Sequence, residues 1–224
     1  MHCGQREECP NDCLHQHRRR IWFVPIGTDE SGNISLFNDY ARTKYEAEQV
    51  FKEWQADAPN DRILVITRPA VVFGEQNRGN VYNLLRQIAS GKFVMVGDGL
   101  NRKSMAYVEN VAAYLQFATT AFNHGVHIYN HIDKQDNSMN ALMGTFNRML
   151  ENPEQISFRL PFAVGYAIGR CVDAVAAITC KKFAISSIRV KKFCSNSLLE
   201  TSIAKTGFVP PVPLYEALER TVRH

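Results

Sequence analysis

Ala47, Val50, Phe51 and Trp54 recur at i, i+3, i+4 and i+7, the period of a helix with one buried face. Asn38 or Asp39 stands where its cap belongs, and Pro59 closes it. Ile63–Thr67 is a continuous apolar run of strand length, as expected of a parallel strand covered on both sides. Val81, Leu84, Leu85 and Ile88 return to helical spacing, stopped by Gly91. A short strand over Phe93–Val96 then meets the Gly97-Asp98-Gly99 turn. Val111, Tyr114, Leu115 and Ala118 mark a further helix ending near Gly125. Val126–Ile132 reads as a strand, Met139–Leu150 as a helix capped by Ser138, and Ile156–Leu160 as a strand. Pro210-Pro211 feeds a last amphipathic helix on Leu214, Ala217, Leu218 and Thr221. Strands alternating with helices at these spacings predict an α/β domain with a parallel sheet.

Both ends of this pattern carry something different. Residues 1–20 are polar and without period, and they read as a disordered leader outside the domain that occupies residues 21–224. The leader holds Cys3, Cys9, Cys13, His15 and His17, ligand types that suit zinc. Its spacing lacks the paired Cys-x2-Cys knuckle of tetrahedral sites, so no metal is expected. Ile21–Ile26 reads as the stub of a strand, and Thr28–Phe37 as a polar loop leading to the first helix. Phe162–Cys180 is the most apolar segment. Arg170 and Asp173 near its middle argue for a packed or partner-facing helix rather than a spanning one, with a peripheral membrane contact, helped by Lys181 and Lys182, as the alternative.

Composition narrows the class. The chain has 224 residues, 45% of them hydrophobic, enough to bury a full core. A net charge of +4 suits anionic ligands such as nucleotide diphosphates and is too small to argue for nucleic acid. Met1–Arg20 has no apolar signal region. Free thiols in a reducing cytoplasm are therefore the expectation for the six cysteines.

The candidate chemistry begins with Tyr40 and Lys44, which lie four residues apart at the start of the first helix and so share one side of it. A phenol near neutrality is a poor acid or base, and a neighbouring ammonium favours the phenolate. Arg62-Ile-Leu-Val-Ile-Thr-Arg-Pro-Ala-Val-Val-Phe-Gly74 follows. Val94-Met-Val-Gly-Asp-Gly-Leu-Asn-Arg-Lys-Ser-Met-Ala-Tyr-Val-Glu-Asn-Val-Ala112 comes later. Taken in this order, the three blocks resemble the extended short-chain dehydrogenase/reductase family, the NAD-dependent epimerases and dehydratases of sugar nucleotides.

That resemblance implies a Rossmann-like parallel sheet with helices and a small C-terminal substrate lobe. It also implies NAD or NADP as cofactor, a nucleotide-sugar substrate and a homodimer. Tyr40 becomes the acid/base, and Lys44 the residue that holds the nicotinamide ribose. Pro69 and Ala70 fall at the nicotinamide end, Val71 at the sugar contact, and Arg102 at the substrate diphosphate, with Asn101 beside it adding a hydrogen bond. A guanidinium fork suits a diphosphate. Surface ion pairing is the alternative reading of Arg68 and Arg102. Three features depart from the family. Val71 replaces a frequent asparagine, no glycine-rich Gly-x-x-Gly-x-x-Gly follows a first strand, and no Ser or Thr stands on the strand before Tyr40, Thr28 being the nearest hydroxyl. The Rossmann fold is thus expected to be incomplete, with its N-terminal nucleotide-binding half missing. An exposed apolar edge on the Ile63 strand and weak or no NAD binding are expected to follow. Epimerase, dehydratase and ketoreductase all fit, as do steroid or other alcohol dehydrogenases of the same family. A non-catalytic remnant or binding module of the same fold is the alternative.

Overall fold

The computed structural model describes residues 11–15, 29–31, 39–151, 158–179, 183 and 185–224, and for residues 11–15, Tyr40 and Ala41 it describes the backbone alone. Strand β1 (Asn11–His15) comes first, then helix α1 (Asp39–Asp57) and strand β2 (Ile63–Pro69). β3 (Val71–Phe73), α2 (Asn80–Ala89), β4 (Met95–Val96) and β5 (Arg102–Tyr107) follow. The chain continues with α3 (Val108–Ala121), β6 (Gly125–His131), β7 (Asp133–Ser138) and α4 (Met139–Met149). β8 (Arg159–Leu160), α5 (Phe162–Thr179), α6 (Ser187–Cys194) and α7 (Leu214–Arg223) complete it.

The expected α/β construction is present. β1, β2 and β6 form one sheet in which both pairings are parallel. β3, β5 and β7 form a second sheet, parallel between β3 and β5 and antiparallel between β5 and β7. β4 and β8 pair alone. Two expectations change here. Asn11–His15 is a strand, in register with Ile63–Thr67, rather than part of a structureless leader. β2 accordingly has a neighbour on each side instead of an exposed edge. A buried apolar strand leaves its N–H and C=O groups unsatisfied unless both ladders are filled. The Ile21–Ile26 stub and Thr28 lie outside the described residues.

The main core lies between the second sheet and its helices. Phe73, Met95, Met105 and Tyr107 pack there with Leu85 and Ile88 of α2, Met143 and Phe146 of α4, and Leu218 of α7. A separate aromatic cluster centres on Tyr114, whose ring lies 5.1 Å from that of Phe208 in an edge-on contact. The predicted caps and stops recur: the Ser138 hydroxyl accepts from Ala141 N–H at 3.1 Å, and Gly91 takes φ +68° after α2. The Gly99 turn requires glycine twice over, since φ is +70° and an added Cβ would lie 2.2 Å from Asn140 Oδ1.

The first helix buries a different face from the predicted one. Glu48 and Gln55 are buried, whereas Val50 is exposed. A charged partner on β2 turns α1 toward itself. The other main departure is α5, which buries only Gly165 and Gly169 and leaves most of its apolar side chains exposed.

Candidate active site

Helix α1 runs antiparallel to β2, and polar contacts fix its register at both ends. Near the start of β2, Arg62 donates to the Trp54 carbonyl, and its guanidinium lies 4.7 Å from the Trp54 ring centre. Gln55 Nε2 donates to the Arg62 carbonyl at 3.3 Å. Near the strand's end, Arg68 Nε donates to Glu48 Oε1 at 2.8 Å while Nη2 donates to Oε2. Both side chains of this fork are almost fully buried, so Arg68 is an interior partner and not a surface one. A two-pronged guanidinium–carboxylate pair fixes direction as well as distance.

Lys44 lies one helical turn before Glu48, and Tyr40 one turn before that. At ~1.5 Å of rise per residue, each turn carries the chain about 6 Å farther past Arg68, toward the C-terminal edge of the parallel sheet. Ligands of open parallel sheets bind at that edge. Lys44 is half-buried there.

Glu30 tightens the same edge. Its carboxylate accepts from the N–H groups of Asn130 and Ser202, each at 3.0 Å. Its carbonyl accepts from Arg68 Nη1 at 3.4 Å. The loop before α1, the end of β6 and the segment after α6 therefore meet around Arg68.

Pro69 and Ala70 are buried where the first sheet passes into the second. Proline has no N–H, and Ala70 donates its own to the His131 carbonyl at 2.9 Å. Neither main-chain N–H is available to a ligand, so these residues offer an apolar wall. Val71 is half-buried, pairs with Met105 across β3 and β5, and packs against the main core. Arg102 opens β5 and is exposed. Its N–H donates to Asn196 Oδ1 at 2.7 Å, and its carbonyl accepts from Ser197 N–H at 2.9 Å. Asn101 is buried and donates Nδ2–H to the Phe193 carbonyl at 2.8 Å. The structure thus carries the start of α1, with Tyr40 and Lys44, beyond Arg68 in the direction of the end of β2, where Pro69 and Ala70 lie, and ties Asn101 and Arg102 to the α6 segment.

Beside Arg102, Lys103 Nζ donates to the carbonyls of Lys192 and Ser195. Burial pushes the Lys103 ammonium down to about 8, opposed by the nearby Cys194. Between pH 8 and 10.5 the unfolded chain holds this proton and the folded chain does not, so stability rises with pH across that window. Replacing Lys103 with Met is expected to remove that rise. The wild-type-minus-variant difference in urea unfolding free energy should grow by at most about 3 kcal/mol over the window. A flat difference would contradict it.

A concavity of about 310 Å³ lies elsewhere, lined by Glu75, Tyr107, Val108, Glu109, Ala112 and Arg220. Tyr107 donates its hydroxyl to the Glu75 carboxylate at 2.9 Å. Burial and that bond push its phenol up to about 12, which unsuits it for proton transfer near neutrality. Arg220 pairs there with Glu109 and Glu216.

Three positioning groups escape sequence reasoning. Glu48 and Arg68 leave one trace, a lone arginine inside an apolar strand. Glu30 leaves none. The third is a buried set in which Asp133 accepts from Tyr107 N–H at 2.5 Å and Asn110 Nδ2–H at 2.9 Å. Asn110 also exchanges hydrogen bonds with the Val212 main chain. Burial raises the Asp133 carboxyl above its usual range.

Residues 24–131 match the model of the NAD dependent epimerase/dehydratase family. Over 197 residues the chain is 45% identical to the N-acetyl-alpha-D-glucosaminyl-diphospho-ditrans,octacis-undecaprenol 4-epimerase of Escherichia coli O157:H7, covering 88% of this chain and 59% of that protein. The fold is similar to a UDP-N-acetylglucosamine 4-epimerase from Methanobrevibacter ruminantium M1 in complex with UDP-N-acetylmuramic acid. That likeness has a TM-score of 0.67 at 18% identity and covers 96% of this chain and 62% of that one. It is also similar to a human epimerase family protein with NADPH, at TM-score 0.63 and 18% identity over 96% and 66% of the two chains. The two structures at 18% identity speak to fold alone. The chain spans about three fifths of the length of this Escherichia coli relative.

Proposed function

We propose that this chain, whose residues 24–131 match the NAD dependent epimerase/dehydratase family, carries the acid/base helix and substrate lobe of a 4-epimerase acting on a diphosphate-linked N-acetylhexosamine. The 45% identical relative directs the substrate class further, to a sugar diphosphate esterified to a polyprenol. The observation that carries the reading is the alignment of α1 on β2 by the buried Glu48–Arg68 fork. That alignment supports the reading, because it carries the start of α1, with Tyr40 and Lys44, toward the C-terminal edge of the sheet, where ligands of open parallel sheets bind.

In this reading Tyr40 accepts the proton of the sugar hydroxyl as the carbon is oxidised, and returns it when the carbonyl is reduced from the other face. Lys44 stabilises the phenolate charge and would hold the nicotinamide ribose. Pro69 and Ala70 exclude water from the reacting face, and Val71 lies against the sugar. Arg102 grips the diphosphate. Asn101, with an amide N–H donated to Phe193, holds the Arg102 strand against the α6 segment.

NAD or NADP, when bound, supplies the hydride acceptor. The residues around Pro69 and Ala70 fit its nicotinamide end, because the closed main chain there presents an apolar wall. For the pyrophosphate the sequence holds no glycine-rich loop, whose N–H groups would be needed as donors. Calorimetric titration of the 224-residue protein with NAD is therefore expected to show weak or no binding, and a clear micromolar isotherm would contradict it. The second reading is a non-catalytic module of the same fold. Turnover of a polyprenyl-diphosphate N-acetylhexosamine by the wild type and its loss in Tyr40→Phe would exclude that module.

A further inference from the structure

We infer that the outer face of α5, together with the neighbouring end of α6, seats this protein on an anionic lipid bilayer surface. Over its 18 residues α5 has a mean hydropathy of 1.4, long and apolar enough to cross a membrane by length and composition. Its packing shows that it lies flat against the protein instead. Gly165 sits where an added Cβ would come within 2.6 Å of Val96 Cγ1, and Gly169 where one would come within 2.7 Å of the Ser187 main chain. Asp173, one turn on, accepts from Ser187 N–H at 3.1 Å and from its hydroxyl. A spanning α5 would have to leave both β4 and α6.

These inward contacts use the glycines and the carboxylate, so the opposite face is apolar. Val164, Ile168, Val175 and Ile178 are exposed along α5, Ile178 at 83%, and Ile188 is exposed on α6. An apolar helix face lying parallel to a surface suits the boundary between headgroups and acyl chains.

Charge selects the occupant. Residues 159–192 contain seven basic side chains against the single acidic Asp173, a net +6. The whole chain carries +4, so the remainder is −2. Among these bases Arg170, Arg189 and Lys191 are exposed. The one carboxylate of the segment is bonded inward to Ser187. Basic groups framing an apolar strip match anionic headgroups above acyl chains. A second copy of this chain would bring one +6 segment against another, and repulsion opposes that pairing. The surface argument stands on α5 and α6 alone. Its link to turnover rests on the polyprenyl substrate proposed above, whose lipid tail would keep the sugar diphosphate at the same interface.

Sedimentation with vesicles tests it, using the full chain with phosphatidylglycerol-containing vesicles and with phosphatidylcholine alone. The protein is expected to pellet with the anionic vesicles, less with the neutral ones, and less again in high salt. The double variant Val175→Glu, Ile178→Glu changes only exposed positions, and circular dichroism checks that it keeps the fold. Its bound fraction should fall about tenfold. Absence of pelleting by the wild type, or unchanged pelleting by the folded variant, would overturn the inference. So would a wild-type dimer in lipid-free light scattering that the same variant disperses, since a second copy would then cover the face. Loss of vesicle binding with turnover of detergent-dispersed substrate retained in the variant would support the surface role. Loss of turnover in Tyr40→Phe with vesicle binding intact concerns the catalytic reading only.

Discussion

Replacing Tyr40 with Phe is expected to lower kcat by about 10²–10⁴-fold, the range contributed by a positioned general acid/base. KM should change little, because in the proposed mechanism the phenol hydroxyl acts on the proton in flight rather than on the diphosphate that anchors the substrate. The variant should keep its fold. The position lies in the first turn of α1, whose seat on the sheet is fixed by Glu48, Gln55 and Trp54 farther along. The measurement is epimer interconversion followed from both directions. Wild-type-like kcat in the Phe variant would remove Tyr40 from the mechanism. A rise in KM at constant kcat would reassign it to substrate binding.

The largest stability effect is expected at Arg68. Truncation to Met leaves the Glu48 carboxylate buried without its partner, at a cost of about 3–5 kcal/mol. For a chain of this size that corresponds to a fall of roughly 10 °C in Tm. Replacing both residues, Arg68→Met with Glu48→Leu, should recover most of the loss, because a well-packed apolar pair avoids the desolvation that the ion pair incurs. The double variant then separates stability from alignment. If the fork serves to orient α1, the double variant should be stable and still poor in turnover. Equal destabilisation of the single and double variants would contradict this account.

Periodicity made the frame legible. Leu85 and Ile88, Tyr114 and Ala118, and Ala217 and Leu218 all lie on buried helical faces as their spacing demands, because burial of a stripe is a local consequence of sequence. β5 and β7 were missed for the converse reason. Arg102-Lys-Ser and Asp133-Lys-Gln-Asp-Asn-Ser are polar, and long-range bonds make them strands: their mutual pairing, the main-chain bonds to Ser197, and the Ser104 hydroxyl, which donates to Asp136 and accepts from Leu199 N–H. α1 shows the limit of the method most clearly. Its apolar positions pointed to one face, but a buried ion pair outweighs the placement of a single valine. The site divides in the same way. Tyr40 and Lys44 are legible as candidates because their relation is a spacing. Glu30 is not, because its partners lie 100 and 172 residues away.

That last separation bears on how the protein comes into being. Ser202 must leave the ribosome before Glu30 can be clasped, so the contact that fixes the segment ahead of α1 forms only after 172 further residues have been added to the chain. Until then an emerging chain can assemble its helices and strands while Glu30 is still unclasped, a built-in delay between the first folding and the last contact.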